Sequence, residues 1–491
     1  MRELQIKFVS NPVTVRWLRI LNFIEREESF TIVKLSEILK VSQRTLITDI
    51  GFLKKHFARS ANFSFNSNRY KFIEKERMLY QEQKQQLLKN EILFDIMGNI
   101  FYGELETLAE LADYFNYSES TLRRFLLIAQ KAIEEYDLKL KYNPVTILGK
   151  EQNIRRFFFD FYYEGEETSH TLHPPADLYT VMSKKISENI DDHELGTGCT
   201  ISAFYYIVYI TMERSRQGYN VSLPDELKEV AYREKDFKEL FSFQSLIESK
   251  YGVFLSKEEF SWIHYQLLTR RTLDKNEMED LFYERFNLWP ELDVIAVDFL
   301  TQNQVDKKRE AILSPFIKSF FLSRKLNDSI SPVLNKLMDE EKSSVISKNL
   351  DELRKNIQFL NEHQAILQLS DKYFDDVAIS LTLYSRILLR YYAPARNILF
   401  LIEGDYYIVQ YIRTQAQQLL GNWHNIQFVK ISNLTESYLK NTHVDLLVTN
   451  YSVYVSDFNL TKDYILLKQV PDSKDWRRVI DKLNYLAENP Y

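Results

Sequence analysis

The chain has 491 residues, 45% hydrophobic and 14% aromatic, with a formal charge of −6 and a single cysteine. That length exceeds what one core holds, so about three to five domains are expected. The lone Cys199 excludes a disulfide framework and a cysteine-based zinc site and fits a reducing compartment. Glycine and proline number 11 each, well below the usual ~7% and ~5%, so turns are few and helix should dominate. The N-terminus MRELQIKFVSN lacks a signal-peptide apolar run, and the run Ile201 to Met212 is too short to cross a bilayer, so a cytoplasmic location is expected. The charge is unevenly divided. Residues 1 to 90 hold 17 Lys+Arg against 9 Asp+Glu, leaving −14 on the remaining 401. A basic module on an acidic body fits local attraction to phosphate, although a surplus of this size also occurs on ordinary solvated surfaces.

In chain order, Val13, Trp17, Ile20, Leu21 and Ile24 fall at helical spacing and predict a first helix. Thr31 to Lys55 then reads as helix, tight turn and helix. Leu35, Ile38 and Leu39 form the buried stripe of the first, and Ser42 stands at the N-cap of the second. Leu46, Ile50 and Leu53 point the second helix inward, leaving Gln43, Arg44, Thr45, Thr48 and Asp49 outward. Arg, Gln and Thr at the start of such a helix are residue types that read base edges in a major groove. A helical hairpin with a solvated face is the competing reading. A period-two segment follows, with Phe63 and Phe65 before Asn66-Ser67-Asn68 and Tyr70 and Phe72 after, the pattern of a β-hairpin. Arg69 and Lys71 would make this wing basic.

A connecting helix is expected over 74–90, and then the unit repeats. Leu111, Tyr114, Phe115, Tyr117, Ser118, Thr121 and Leu122 match Leu35, Ile38, Leu39, Val41, Ser42, Thr45 and Leu46 without a gap, 76 residues on. Ser120, Thr121, Arg123 and Arg124 face outward, while Leu122, Phe125, Ala129 and Ile133 form the stripe. Leu138, Leu140 and Tyr142 lead through Asn143-Pro144 to Val145 and Ile147, a second wing with Lys139, Lys141 and Lys150. Two tandem winged helix-turn-helix units result, and Ser42, Gln43, Arg44, Thr45, Thr48, Arg69, Lys71, Ser118, Ser120, Thr121, Arg123 and Arg124 are the expected DNA-contacting set. No catalytic residue, metal or cofactor is expected.

The run EGEETSHTLHPP at 164–175 reads as a linker. From Ala176 to about Arg390 the periodicity is helical, in two stretches divided near NLWPE at 287–291. After Tyr391 short apolar strands at 397–403, 426–431, 444–449 and 464–469 alternate with helices at 406–420, near 434–440 and at 476–487, the pattern of a small parallel α/β sheet. Expected boundaries are 1–80 and 81–165 for the winged units, 176–286 and 290–390 for two bundles, and 395–491 for the α/β domain.

This order of parts, with the doubled unit containing SQRTLITDIGFLKK, resembles the Mga/AtxA-type virulence regulators of Gram-positive bacteria over essentially the whole chain. The resemblance implies PRD-type regulation domains for the bundles and an EIIB-like last domain. It also implies a transcription activator that forms dimers or higher oligomers, with promoter DNA, RNA polymerase and phosphotransferase-system phosphocarriers as partners and regulatory histidines in the bundles. At the first histidine position of that pattern this chain has Ile207. Near the second, KEEFSWIHYQLL supplies His264 two residues before the expected place, where Gln266 stands. His264 is the best candidate phosphoacceptor, with His193 next, and a core role for His264 among Trp262 and Ile263 is equally consistent with the pattern. His170 and His173 lie in the linker. After the strand NILFLI the chain has Glu403-Gly404-Asp405 where an EIIB phosphocarrier has its cysteine, and two carboxylates there repel phosphate. Gly196-Thr197-Gly198 reads as a loop leading into a helix. An RNA-binding antiterminator would need a small β-rich N-terminal module, and a phosphotransferase component would need that cysteine. A DNA-binding regulator is therefore the leading expectation.

Overall fold

The computed structural model describes residues 1–180, 182, 195–391, 395–429, 444–454 and 463–488. They form two compact units, Met1–Leu383 and Tyr384–Tyr491. The first opens with α1 (Glu3–Ile6), α2 (Pro12–Ile24), α3 (Ile32–Leu39) and α4 (Gln43–His56), followed by a hairpin of β1 (Ala61–Asn66) and β2 (Arg69–Glu74). After α5 (Arg77–Gln86) and α6 (Ile92–Tyr102) the pattern returns as α7 (Leu108–Tyr114), α8 (Glu119–Glu134), β3 (Lys139–Tyr142) and β4 (Val145–Leu148). α9 (Glu151–Phe158) then widens into a π-helical turn at Phe159–Tyr163.

Local chemistry explains these boundaries. Thr31, Ser42, Thr107 and Ser118 cap α3, α4, α7 and α8, each hydroxyl accepting the N–H three residues on at 3.2 Å. Thr107 and Glu110 complete a reciprocal capping box. The first hairpin turns through Ser67 and Asn68, both left-handed at φ 47° and 64°. Two such residues make the turn whose twist matches that of paired strands. Leu35, Leu46, Ile50, Leu53, Phe57 and Phe63 close one core with Ile20, Leu21 and Ile24 of α2 and Tyr80 of α5.

The two units differ in the phase of the hairpin. Both turns sit at the same place in the repeat, after Asn66 and after Tyr142. In the first, Ala61 and Phe63 face inward. In the second, Leu140, Val145 and Ile147 do, while Lys139 and Lys141 face out. A shift of one residue moves every side chain of a strand to the other face. The basic residues therefore stand on β2 in the first wing and on β3 in the second.

Segment 164–175 is not an open linker. Glu166 exchanges backbone hydrogen bonds with the Gln5 side chain at 2.9 Å in both directions. Its carboxylate pairs with Lys84 at 2.8 Å and with the Met1 ammonium at 2.6 Å. Met1, Leu4, Ile6, Phe8 and Val9 are buried, so the chain start is core. Polar, proline-containing composition reports the end of a helix; it is silent about partners some 160 residues away.

His170 anchors the same segment. One ring nitrogen lies 2.8 Å from an Asp95 carboxylate oxygen and the other 3.0 Å from the Leu88 carbonyl. Both partners are acceptors, so only the imidazolium satisfies both. Burial works against that charge, but the bonds to Asp95 and Leu88 and the nearby Glu91 outweigh it, and the His170 pKa is raised. The anchoring is complete below the unfolded value of about 6.5 and is lost as pH rises through the folded value above it. Hydrogen exchange around residue 170, corrected for its intrinsic rate, should accelerate as pH rises above about 6.5. His170→Gln should abolish that dependence; a pH-dependent wild type and variant alike would rule His170 out.

The rest of this unit's described residues are mainly helical: Ile201–Arg216, Asp225–Arg233, Lys235–Phe241, Gln244–Tyr251, Lys257–Leu268 and Asn276–Phe286, then Leu292–Gln302, Lys307–Ile330, Asp339–Lys348, Leu350–Glu362 and the start of Phe374–Tyr391. A buried ion network fastens α9 to these helices. Arg155 meets Glu259 through two contacts of 2.5 and 3.2 Å, and Glu151 takes Arg155 at 3.0 Å and Arg214 at 2.9 Å. Glu259 also accepts from the Val221 N–H at 2.8 Å.

In the second unit a four-stranded parallel sheet has the order β6-β5-β7-β8, with β5 Asn397–Leu401, β6 Asn425–Phe428, β7 Leu446–Thr449 and β8 Tyr464–Leu466. Helices Tyr406–Leu420 and Ser473–Glu488 cover one face through Ile412, Ala416, Trp476 and Val479. The expected helix near 434–440 lies outside the described residues. Beyond β5, Asp405 caps the next helix by accepting from the Tyr407 N–H at 2.9 Å. Asn450 holds the backbone of Glu403 at 2.7 and 2.9 Å, and the Tyr454 hydroxyl donates to the Glu403 carboxylate.

Candidate nucleic-acid interface

α4 buries Leu46, Asp49, Ile50 and Leu53 against the core of the first unit. The opposite face carries Arg44, Ile47, Thr48, Gly51, Lys54 and Lys55, all exposed, with Gln43 beside them at the N-terminus. Ser42 and Thr45 are occupied in the cap, their hydroxyls 2.8 Å apart. Thr48 donates back to the Arg44 carbonyl at 3.2 Å, leaving its methyl and hydroxyl oxygen outward. In α8 the exposed face holds Ser120, Arg123, Arg124, Leu127 and Lys131, and Ser118 bonds Ser120 and Thr121 within the cap at 2.9 Å. Arg123 also lies over the Tyr142 ring at 4.9 Å, joining reading helix to wing. Arg69 is exposed at the first wing but donates to the Ser29 hydroxyl at 3.0 Å, and Lys71 is exposed beside it. The expected polar residues are thus gathered on two helix faces and two wings, with the cap residues serving the helix first.

Four expectations need correction. Asp49 does not face outward: it is 4% exposed and accepts from Arg16 Nη2 and Trp17 Nε1, each at 2.9 Å. A carboxylate can enter a core when a guanidinium and an indole donor meet it there, and both lie on α2, more than 30 residues away. Ile38 is 51% exposed instead of buried, as is its repeat counterpart Tyr114 at 72%. α3 touches α4 along so narrow a line that Leu35 is its one fully buried residue. Phe125 is half-buried and Leu126 takes the core position. His264 is only 3% exposed, with Phe237 at 5.7 Å and Phe286 at 6.0 Å ring to ring, so the core role is the one it fills. The neighbouring Glu258 and Glu259 act as anchors, Glu258 accepting from the Leu223 N–H at 2.8 Å. His193 lies outside the described residues.

Lys54 and Lys55 were legible but not singled out; Lys55 follows Arg44 by three helical turns and so shares its face. The C-terminal end of α8 is gripped from elsewhere in the unit. Lys7 and Lys336 reach Glu135 at 2.7 and 3.5 Å, Tyr373 donates to the Glu135 carbonyl at 2.8 Å, and Lys372 donates to that of Glu134 at 3.0 Å. Among the described residues no helix is long and apolar enough to cross a membrane, and no His, Cys, Asp and Glu cluster could hold a metal.

The geometry defines a helix-turn-helix protein with a duplicated reading unit. Residues 76–162 match the model of the Mga helix-turn-helix domain. The chain is similar to the capsule synthesis positive regulator AcpB of Bacillus anthracis, 21% identical over 252 residues covering 50% of this chain and 51% of that protein. It is also similar to the anthrax toxin expression trans-acting positive regulator of the same organism, 22% identical over 269 residues, 52% and 54% of the two chains. The helix-turn-helix match and these relatives support the Mga/AtxA-type family of regulators. These matches span about half the length of the curated relatives.

Proposed function

We propose that the protein is a duplex-DNA-binding transcription regulator, an activator, that reads promoter DNA with α4 and α8 and positions itself through its two basic wings. The observation that carries this reading is the exposed file of Arg44, Thr48 and Lys55 on α4, backed by a second reading helix with Arg123 and Arg124 outward. The relatives' names as positive regulators support the activating sense. In this reading 1–80 and 81–165 are the winged units, 176–286 and 290–390 are PRD-like control domains, and 395–491 is an EIIB-like domain. The latter cannot pass on phosphate, because Glu403 and Asp405 occupy the loop where a carrier cysteine would stand. It serves self-association instead. Its helix Tyr406–Leu420 has Arg413 as sole charged residue and exposes Tyr406, Tyr407, Tyr411 and Leu419, a composition suited to an interface. Phosphorylation of His264 would require its helix to leave the core, so control through contacts among the helices fits better.

The test is fluorescence anisotropy of the full chain with duplex DNA and with an RNA hairpin across a salt series. Steep salt dependence on the duplex alone is expected. Tighter binding to the hairpin would replace the reading with an RNA-binding one. In the same assay, Arg123→Ala with Arg124→Ala should lower the salt slope by roughly two. An unchanged slope would remove α8 from the interface.

A further inference from the structure

Gly51 occupies the middle of α4 and the centre of its outward face, bracketed by Arg44, Ile47, Thr48 and Lys55 at helical spacing. The fold gives no reason for a glycine there. Its backbone is ordinary right-handed helix, and a Cβ built on it meets nothing within 4 Å. Glycine is among the poorest residues for an exposed helix interior, where alanine would hold the helix better. What a missing side chain does provide is room for another molecule to come close to the helix backbone. The charge around it, Arg44 with Lys54 and Lys55 on a segment rich in Lys and Arg, selects a polyanion as that molecule.

The second unit supplies a contrast. Its residue at the equivalent place, 76 positions on, is Leu127, 51% exposed, with Arg123 and Arg124 one turn before it. A leucine there holds the helix axis away from whatever its arginines touch. Resting on the DNA-binding reading, we propose that Gly51 is the seating point of α4 in the major groove. Its bare backbone lets the helix sink far enough for Arg44 and Thr48 to reach base edges, whereas α8 rides higher on Leu127 and contributes mainly phosphate contacts. The two repeats are then unequal: the first specifies sequence and the second adds affinity.

The experiment uses the full chain and a duplex enriched by the wild-type protein from a random-sequence pool. Gly51→Ala should raise the melting temperature by about a degree or more, as the helix gains propensity, while weakening binding to that duplex by about tenfold. Gly51→Leu, which copies the second unit, should abolish the preference for the enriched sequence over an unrelated duplex and leave the salt-dependent background. Opposite signs in stability and binding are what a merely structural glycine would not give. Wild-type enrichment with a Gly51→Ala protein that binds as tightly would overturn the proposal while leaving the DNA reading intact. Failure of the wild type to enrich any duplex would overturn both, before any variant is made.

Discussion

Glu259→Ala should cost about 3–5 kcal/mol, the usual loss when one partner of a buried ion pair is removed. The carboxylate is 0% exposed and the Arg155 side chain 2%, so the guanidinium would keep its charge without solvent to stabilise it. The Val221 N–H would lose its acceptor as well. Because Arg155 lies on α9 and Glu259 on the helix Lys257–Leu268, the damage should not stay local. Hydrogen exchange should speed up at both helices and leave the C-terminal sheet as it was. Glu259→Gln, which keeps an acceptor for Val221, should fall between variant and wild type. Unchanged exchange in the alanine variant would mean that Arg155 finds Glu151 alone sufficient.

Arg44→Ala should weaken binding to a selected duplex by about 1–3 kcal/mol, roughly 5-fold to 150-fold, and flatten base preference at one position. Lys55→Ala offers the control. It lies on the same face three turns on, where a lysine would meet phosphate in this reading, so its loss should weaken all sequences alike and reduce the salt slope by about one. Equal behaviour of the two variants would show that Arg44 touches only the backbone of the DNA.

The reading helices were legible because the information is local. Serine and threonine caps, three- and four-residue apolar spacing and a gapless 76-residue repeat place α3, α4, α7 and α8 within a residue or so. The parallel sheet was legible for a similar reason, since short strands covered by helices become continuous apolar runs. What the sequence hid depends on distant partners. Asp49 looked like a solvent-facing acid until Arg16 and Trp17 of α2 closed on it. The 164–175 segment looked like free chain until Gln5, Lys84 and Asp95 held it. His264 carried two readings from the same neighbours, and only the approach of Phe237 and Phe286 from other helices separates them. The phase of the second wing was likewise open, because alternation gives the period of a strand and not which set of residues faces the core.

The grip on the C-terminal end of α8 has a mechanical consequence. The helix spans Glu119–Glu134, about 24 Å at 1.5 Å per residue, and its reading residues lie at the far end from Lys7, Lys336, Lys372 and Tyr373. It is a rod packed on the unit along Leu122, Leu126 and Ala129 and gripped at its C-terminal end. A tilt of about 5° at the held end displaces the reading end by roughly 2 Å, several times the tolerance of about 0.5 Å that a productive contact allows. Small rearrangements of the segments that carry Lys336, Lys372 and Tyr373 would thus be magnified along α8.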